Sequence, residues 1–110
     1  MIMTQVTLEH IRAARERIAD KVERTPTALS PSLSERLSAQ VHLKLEHRQT
    51  TGSFKLRGAS NAVASLSAEE KARGVVAAST GNHGRALAHA AKLEGMRAVI
   101  CMSRLVPCNK

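Results

Sequence analysis

A lysine near the start of a predicted helix is the first residue that could do chemistry. The segment TTGSFKLRGA runs from Thr50 to Ala59, and its pattern turns helical at Phe54, with Ser53 as the candidate N-cap. Lys55 then lies in the first helical turn, where the helix dipole disfavours a cation. A lysine whose ammonium form is destabilised by the dipole and by burial can act as a nucleophile toward an aldehyde. Composition alone favours the plainer alternative, a solvated lysine on a surface helix.

A second junction follows the apolar run at residues 75–78, which is typical of a buried strand. Its sequence is STGNHG, and it leads into an Ala-rich helix. The glycines allow close backbone approach, and amides and hydroxyls at a helix N-terminus form a natural anion site. Ligands of open α/β sheets bind beyond the carboxyl ends of the strands, where this loop lies. A simple turn in which Ser79 and Asn82 cap the following helix explains the same segment equally well.

The elements that must position these junctions are short in the first part of the chain. The pattern predicts, in chain order, a helix over 7–22 with Thr7 as N-cap, a helical turn at 33–37, a half-buried strand over 41–45, and a helix start at a capping box formed by Ser67 and Glu70.

The last third of the chain reads as strand, helix and strand, at residues 75–78, 84–93 and 98–102, with Gly95 ending the helix. This spacing is typical of a βαβ unit whose parallel strands are buried on both faces. We therefore predict an α/β fold with an open parallel sheet. So small a sheet leaves open edges and an uncovered face, so we expect residues 1–110 to be a single N-terminal segment of a longer catalytic domain. A self-contained domain that dimerises is the alternative.

Composition narrows the possible functions. The 110 residues carry a net charge of +8, from 17 Lys and Arg against 9 Asp and Glu, and the basic residues are dispersed. Nucleic-acid footprints are usually clustered, and single-strand platforms need aromatic faces, of which this chain has one Phe. A basic nucleic-acid-binding module is therefore the least favoured of the possible functions. The core must be built from Ala, Val, Leu and Ile.

The sequence also limits the possible cellular compartment and the possible metal sites. No apolar stretch approaches the roughly 20 residues of a membrane helix, and the first ten residues show no secretory signal. Cys101 and Cys108 are too few for a disulfide framework or a zinc site, and we expect both to be buried or half-buried. His83 and His89 do not have a helical metal-ligand spacing. We expect a cytoplasmic protein without a metal, a membrane partner or a nucleic-acid partner.

Together, SFKLRGASNA and ASTGNHGRALAHAAKLEG resemble the N-terminal third of the pyridoxal-phosphate-dependent threonine/serine dehydratases and serine racemases, which share the tryptophan-synthase-β-like fold. The resemblance runs from about Leu8 to Lys110 and includes TPTALSPSLS and VHLKLEHRQTTG. The closing CMSRLVPCNK further resembles the hydroxyectoine-utilisation dehydratases of that group. The resemblance implies a lyase that eliminates a β-hydroxyl and ammonia from a hydroxy amino acid, with pyridoxal 5'-phosphate as cofactor and a homo-oligomeric full-length protein. A serine-racemase-like or β-replacement enzyme stays open as the alternative.

The resemblance also implies residue roles. Lys55 would bind the cofactor covalently and later remove the α-proton of the substrate, and Phe54 would pack near the cofactor ring. Asn82 would hydrogen-bond the phenolic oxygen of the cofactor. The pocket for the substrate carboxylate would be lined by Ser79, Thr80, Asn82 and His83.

Thr80 bears on the reaction type. The racemases of the family carry Ser at this position, where its hydroxyl is the acid/base on the second face of the substrate. Thr keeps the hydroxyl and adds a methyl group, so the resemblance favours elimination, with Lys55 and Thr80 as the candidate catalytic residues. The family's glycine-rich phosphate loop and its partner for the pyridine nitrogen lie outside this sequence. We therefore expect the chain alone to be inactive.

Overall fold

The computed structural model of the protein describes residues 5–106, which combine α-helices with two small sheets. This confirms the α/β fold class. In chain order the elements are α1 (Leu8–Arg17), β1 (Thr27–Leu29), α2 (Pro31–Leu37), β2 (His42–Lys44), a 3₁₀ turn (Glu46–Arg48), α3 (Lys55–Ala64), α4 (Ala68–Arg73), β3 (Val75–Ala78), α5 (Asn82–Leu93) and β4 (Ala98–Cys101).

Helix α1 begins where the sequence predicts and ends five residues early. The Thr7 side chain accepts a hydrogen bond from the His10 amide, and His10 Nδ1 accepts one from the Thr7 amide, so the N-cap is confirmed. The prediction that the helix continues to residue 22 is wrong. At Ile18 the chain leaves helical geometry and forms a turn closed by the Lys21 amide and the Ile18 carbonyl (3.0 Å). Ile18 is buried there, and such tertiary burial overrides the local apolar period.

The first sheet is an antiparallel pair of strands, of which the sequence pattern predicts only the second. β1 pairs with β2 in the register Thr27↔Lys44 to Leu29↔His42. The predicted strand over 41–45 is confirmed in a shorter form, but its predicted half-burial is wrong, since all three residues of β2 are exposed. β1 is missed because it has three residues and lies between two prolines, which read as chain breaks.

The second sheet confirms the βαβ unit. β3 and β4 are parallel, from Val75↔Ala98 to Ala78↔Cys101, and α5 forms the crossover between them. Burial on both faces is wrong for the described residues, because α5 covers one face and Val76 on the other face is 72% exposed. Cys101 also lies on the open face and is exposed, contrary to expectation. Cys108 lies outside the described residues.

The core lies between α3, α5 and the covered face of the second sheet. Buried Leu56, Ala59 and Val63 of α3 meet Ala86, Leu87 and Ala90 of α5, with half-buried strand residues packed against them. The alanines of α5 allow the two helices to approach closely. The predicted aliphatic core is confirmed, and it joins the two helices that follow the candidate junctions.

Three local predictions are confirmed elsewhere in the chain. The Ser67 hydroxyl accepts from the Glu70 amide (3.2 Å), while the Glu70 carboxylate accepts from the Ser67 amide (2.8 Å). Gly95 has φ +66° directly after the C-cap of α5, a conformation that disfavours other residues and ends the helix. The helical turn expected at 33–37 is part of α2.

Candidate active site

Lys55 is the first residue of α3, as predicted. Phe54 is the N-cap residue, but its backbone is already helical (φ −62°, ψ −15°) and no side chain caps the helix. The prediction that Ser53 caps α3 is wrong. The Ser53 hydroxyl is buried without a hydrogen-bond partner, and the first turn closes tightly through the Arg57 amide and the Phe54 carbonyl (3.1 Å).

The Lys55 amine is accessible. Lys55 is exposed, and its Nζ lies 5.1 Å from the centroid of the Phe54 ring, within the range of a cation–π contact. No carboxylate among residues 5–106 lies within ion-pair distance of this amine. Lys55 is therefore exposed, as in the plainer alternative of a solvated lysine, and its place in the first helical turn is confirmed. An exposed lysine without a salt bridge is available to an electrophile.

Buried hydroxyls accompany this lysine. Thr51 and Ser53 are each 7% exposed, flank Gly52 in the loop before α3, and have oxygens with no partner in the described part of the chain. The Ser60 hydroxyl in α3 is in the same state. Buried polar atoms in native proteins almost always have partners, from protein, water or ligand. The Lys55 loop thus carries unused hydrogen-bonding capacity.

Arg57 stands on the other side of the same helical turn. Its guanidinium donates to both carboxylate oxygens of Glu46, with Nε–Oε2 at 3.0 Å and Nη2–Oε1 at 2.7 Å. This pairing, helped by the Thr25 hydroxyl that donates to the same carboxylate, lowers the pKa of Glu46 from 4.5 to about 2. No local pattern predicts this pair, because Glu46 follows the predicted strand over 41–45 and is 11 residues away from Arg57.

The second junction is organised by Ser79. Its hydroxyl oxygen accepts hydrogen bonds from the amides of Gly84 (2.9 Å) and Gly81 (3.4 Å), so it caps α5 from outside the helix. The predicted capping by Ser79 is therefore observed. Asn82 is instead the first residue of α5, and the N-cap residue is Gly81, without a side-chain bond.

Gly84 provides the close approach that the glycines predict. It is buried in the first turn of α5, and a Cβ atom there would lie 2.8 Å from Ile100 Cγ2 and 3.1 Å from Ser79 Cβ. A larger residue would force Ile100, Ser79 or the start of α5 to shift. Glycine thus lets the helix start directly over the carboxyl ends of the strands.

An open cleft of about 270 Å³ lies at this end of the parallel sheet. Its lining residues are Ser79, Gly81, Gly84, Arg85, Ala88, Ile100 and Met102. Thr80 in the loop and Asn82 and His83 at the start of α5 are exposed, and none of them lines the cleft. Arg85 was not identified from the sequence, although a basic residue directly after STGNHG was a usable signal. A guanidinium near a helix N-terminus suits an anionic group.

Two absences hold for residues 5–106. No helix there is long and apolar enough to cross a membrane. No group of three or more His, Cys, Asp or Glu side chains is placed to hold a metal ion.

Comparison with known proteins decides the family. A family model described as "Pyridoxal-phosphate dependent enzyme" matches residues 18–110. The chain belongs to this family. Its predicted fold, the N-terminal part of a tryptophan-synthase-β-like enzyme, is thereby confirmed.

Individual relatives of this pyridoxal-phosphate-dependent family are similar over nearly the whole chain. A Sinorhizobium fredii protein named "Putative threonine dehydratase" is 62% identical over 108 residues, which are 98% of this chain and 32% of the relative. The L-threonine ammonia-lyase of Thermotoga maritima is 49% identical over 105 residues, 96% of this chain and 26% of the relative. The structure of maize serine racemase matches with a TM-score of 0.89 and 41% identity, covering 96% of this chain and 32% of that one. The chain thus spans a quarter to a third of these relatives.

The residues around Lys55 fit the cofactor of the family. Pyridoxal phosphate carries an aldehyde, which needs an accessible amine, and an aromatic ring, which needs an apolar surface. Lys55 offers the amine and the 60%-exposed Phe54 ring offers such a surface beside it. The unpartnered hydroxyls of Thr51 and Ser53 add polar atoms in the same loop.

Proposed function

We propose that this chain supplies the lysine-bearing part of a pyridoxal-phosphate-dependent lyase of the threonine/serine dehydratase type. The observation that carries the proposal is the accessible Lys55 amine, at the first position of α3 beside Phe54, in a chain that belongs to this family. Residues 1–110 form, in this proposal, the N-terminal segment of the catalytic domain. The substrate is a β-hydroxy amino acid.

Lys55 has two tasks in this reaction. Its amine would hold the cofactor covalently at the start of α3 beside the Phe54 ring, and would accept the α-proton of the substrate. When bound, pyridoxal phosphate supplies an electron sink for the charge that develops at the α-carbon. The α-proton and the β-hydroxyl leave as one water molecule. The released enamine takes up one water and yields a keto acid and ammonia.

The start of α5 binds the substrate carboxylate in this proposal. Thr80, Asn82 and His83 are exposed at this helix start, Ser79 is half-buried beside them, and a helix N-terminus attracts anions. Asn82 additionally donates to the phenolic oxygen of the cofactor. The proposed carboxylate-binding residues are Ser79, Thr80, Asn82 and His83.

The test joins this chain to the remaining two thirds of the Sinorhizobium fredii relative. We expect this chimera to bind pyridoxal phosphate, to acquire the visible absorbance of a lysine-bound cofactor, and to release ammonia from L-threonine or L-serine. Lys55→Arg keeps the charge and should abolish both signals. The Thermotoga maritima enzyme is the positive control.

Labelling of the 110-residue chain provides a second measurement, should the chimera fail to fold. The chain is incubated with pyridoxal phosphate, reduced with borohydride and mapped by peptide mass. Preferential labelling of Lys55 over the other lysines supports the proposal. Labelling spread evenly, or an active Lys55→Arg chimera, contradicts it.

A racemase is the second candidate, favoured by the similarity to maize serine racemase and by the hydroxyl of Thr80. Racemisation needs a second acid/base on the other face of the substrate, and the family resemblance implies that Thr80 would occupy that position. Chiral analysis of residual serine in the chimera assay separates the two reactions. Accumulation of D-serine faster than keto acid supports the racemase.

Three finer statements belong to the same proposal. The resemblance of CMSRLVPCNK favours a hydroxy amino acid arising in hydroxyectoine utilisation, which a substrate panel tests. A cytoplasmic location suits amino-acid breakdown and is tested by fractionation. A homo-oligomeric full-length protein is tested by light scattering of the chimera.

A further inference from the structure

Helix α3 begins without a side-chain cap, although its first residue is the candidate cofactor lysine. Uncapped helix ends fray, since their first amides have no intrahelical acceptor. A catalytic amine must nevertheless be held to within fractions of an ångström, because small misplacements cost large factors in rate. Some other contact must therefore hold this helix start.

The Arg57–Glu46 pair is in the right place to do so. Arg57 is two residues beyond Lys55, which is about 200° around the helix, so the two side chains leave α3 on opposite sides. Lys55 is exposed, whereas Arg57 is half-buried and donates two hydrogen bonds to the carboxylate of Glu46. Such bidentate pairs define orientation as well as distance.

The partner of Arg57 is itself held by buried groups. Glu46 accepts a hydrogen bond from the hydroxyl of Thr25, which is 5% exposed. Arg57 Nη2 also donates to the Glu23 carbonyl at 3.1 Å. Both contacts end on the segment that precedes β1.

Gln49 connects this hydrogen-bond network to the loop that precedes Lys55. Its side chain is 3% exposed, donates to the Glu23 carbonyl (3.0 Å) and accepts from the Glu23 amide (2.9 Å). The same oxygen accepts from the Thr50 amide (3.1 Å). The loop that leads to Lys55 and the helix that carries it are thus tied to one segment, residues 23–25.

We propose that Arg57 and Glu46 are positioning residues for Lys55, holding the first turn of α3 in the orientation that presents the amine. The effect of this pair on catalysis rests on the proposed function. Its effect on the order of the helix start does not, because that order is measured in the chain without cofactor.

The experiment compares Arg57→Gln, Glu46→Gln and the double variant. The matched controls are Arg73→Gln and Glu69→Gln, which break an exposed ion pair of similar length (2.8 Å) on α4. In the chain without cofactor, we expect amide hydrogen exchange at Gly58 and Ala59, whose amides bond back to the first turn of α3, to rise at least about tenfold in the Arg57 and Glu46 variants and to stay unchanged in the controls.

In the chimera, we expect kcat to fall at least about tenfold for either single variant, with KM changed less than about twofold. The double variant should fall no further than the worse single one, because both act through one contact. Selective labelling of Lys55 by pyridoxal phosphate should fall in parallel, relative to the other lysines in the same sample.

Two results overturn the positioning role. One is an Arg57→Gln protein that melts at a lower temperature but keeps amide exchange at Gly58 and Ala59, the labelling of Lys55 and kcat within twofold of the parent. The other is a pair of single effects that multiply in the double variant. If the parent chain shows no selective Lys55 labelling, the proposed function fails, and the amide exchange still decides whether the pair orders the helix start.

Discussion

The carboxylate of Glu94 lies 2.8 Å from the ammonium group of Lys21, and this contact joins the turn after α1 to the end of α5. Its second oxygen lies 2.6 Å from the ammonium group of Lys71 in α4. Three separate parts of the chain therefore meet at one half-buried carboxylate. These contacts lower the pKa of Glu94 from 4.5 to about 2, and the bond to Glu94 raises the pKa of Lys21.

Acid should therefore destabilise the chain through Glu94. Its pKa is lower in the folded than in the unfolded chain, so its stabilising effect is complete above about pH 5 and is lost as the pH falls from 4.5 toward 2. Melting temperatures measured across that range should fall less steeply in Glu94→Gln than in the parent. Some slope will remain, because Glu46 titrates in the same window. Glu69→Gln is the control, and an unchanged slope in Glu94→Gln contradicts the prediction.

Alanine substitutions at two helical glycines should change the free energy of unfolding in opposite directions. A Cβ at Gly58 meets nothing within 4 Å, so Gly58→Ala should stabilise the chain by up to about 1 kcal/mol through the higher helix propensity of alanine. Gly84→Ala should destabilise it by roughly 1–3 kcal/mol, since the new methyl group overpacks against Ile100. Urea unfolding of both variants measures the difference. Loss of stability in Gly58→Ala would show that its side of α3 is already filled.

Removing the Ser79 hydroxyl should loosen the start of α5. Ser79→Ala deprives the Gly84 amide of its 2.9 Å acceptor, and we expect a cost of about 1–2 kcal/mol and faster amide exchange at Gly84. Ser67→Ala removes a comparable cap from α4 and is the matched control. It should lower stability without changing exchange at Gly84. Equal exchange at Gly84 in the two variants would contradict the capping role of Ser79.

Thr80 should separate elimination from racemisation in the chimera. A β-branched side chain is stiff about χ1, so its hydroxyl can stay on the substrate carboxylate without delivering a proton. Thr80→Ser should raise any racemisation side reaction, and Thr80→Ala should raise KM more than it lowers kcat. Chiral product analysis with L-serine and L-threonine reads both effects. A parent chimera that racemises faster than it eliminates would replace the dehydratase proposal with the racemase one.

The sequence by itself determined the features that depend on local order. The caps at Thr7 and Ser67, the βαβ unit, the helix stop at Gly95 and the place of Lys55 in the first turn all follow from residues within a few positions of one another. The family resemblance also rests on two continuous motifs. Short-range geometry sets such features before any long-range contact forms.

Tertiary structure alone decided the features that join distant segments. It ended α1 at Arg17, with Ile18 buried in the turn that follows, and it paired β1 with β2 across the Pro31 break. It turned Ser53 inward, left Lys55 exposed, and brought Arg57 to Glu46. Each outcome depends on which side chains from remote parts of the chain compete for the same buried space or the same charge, and no local pattern encodes that competition.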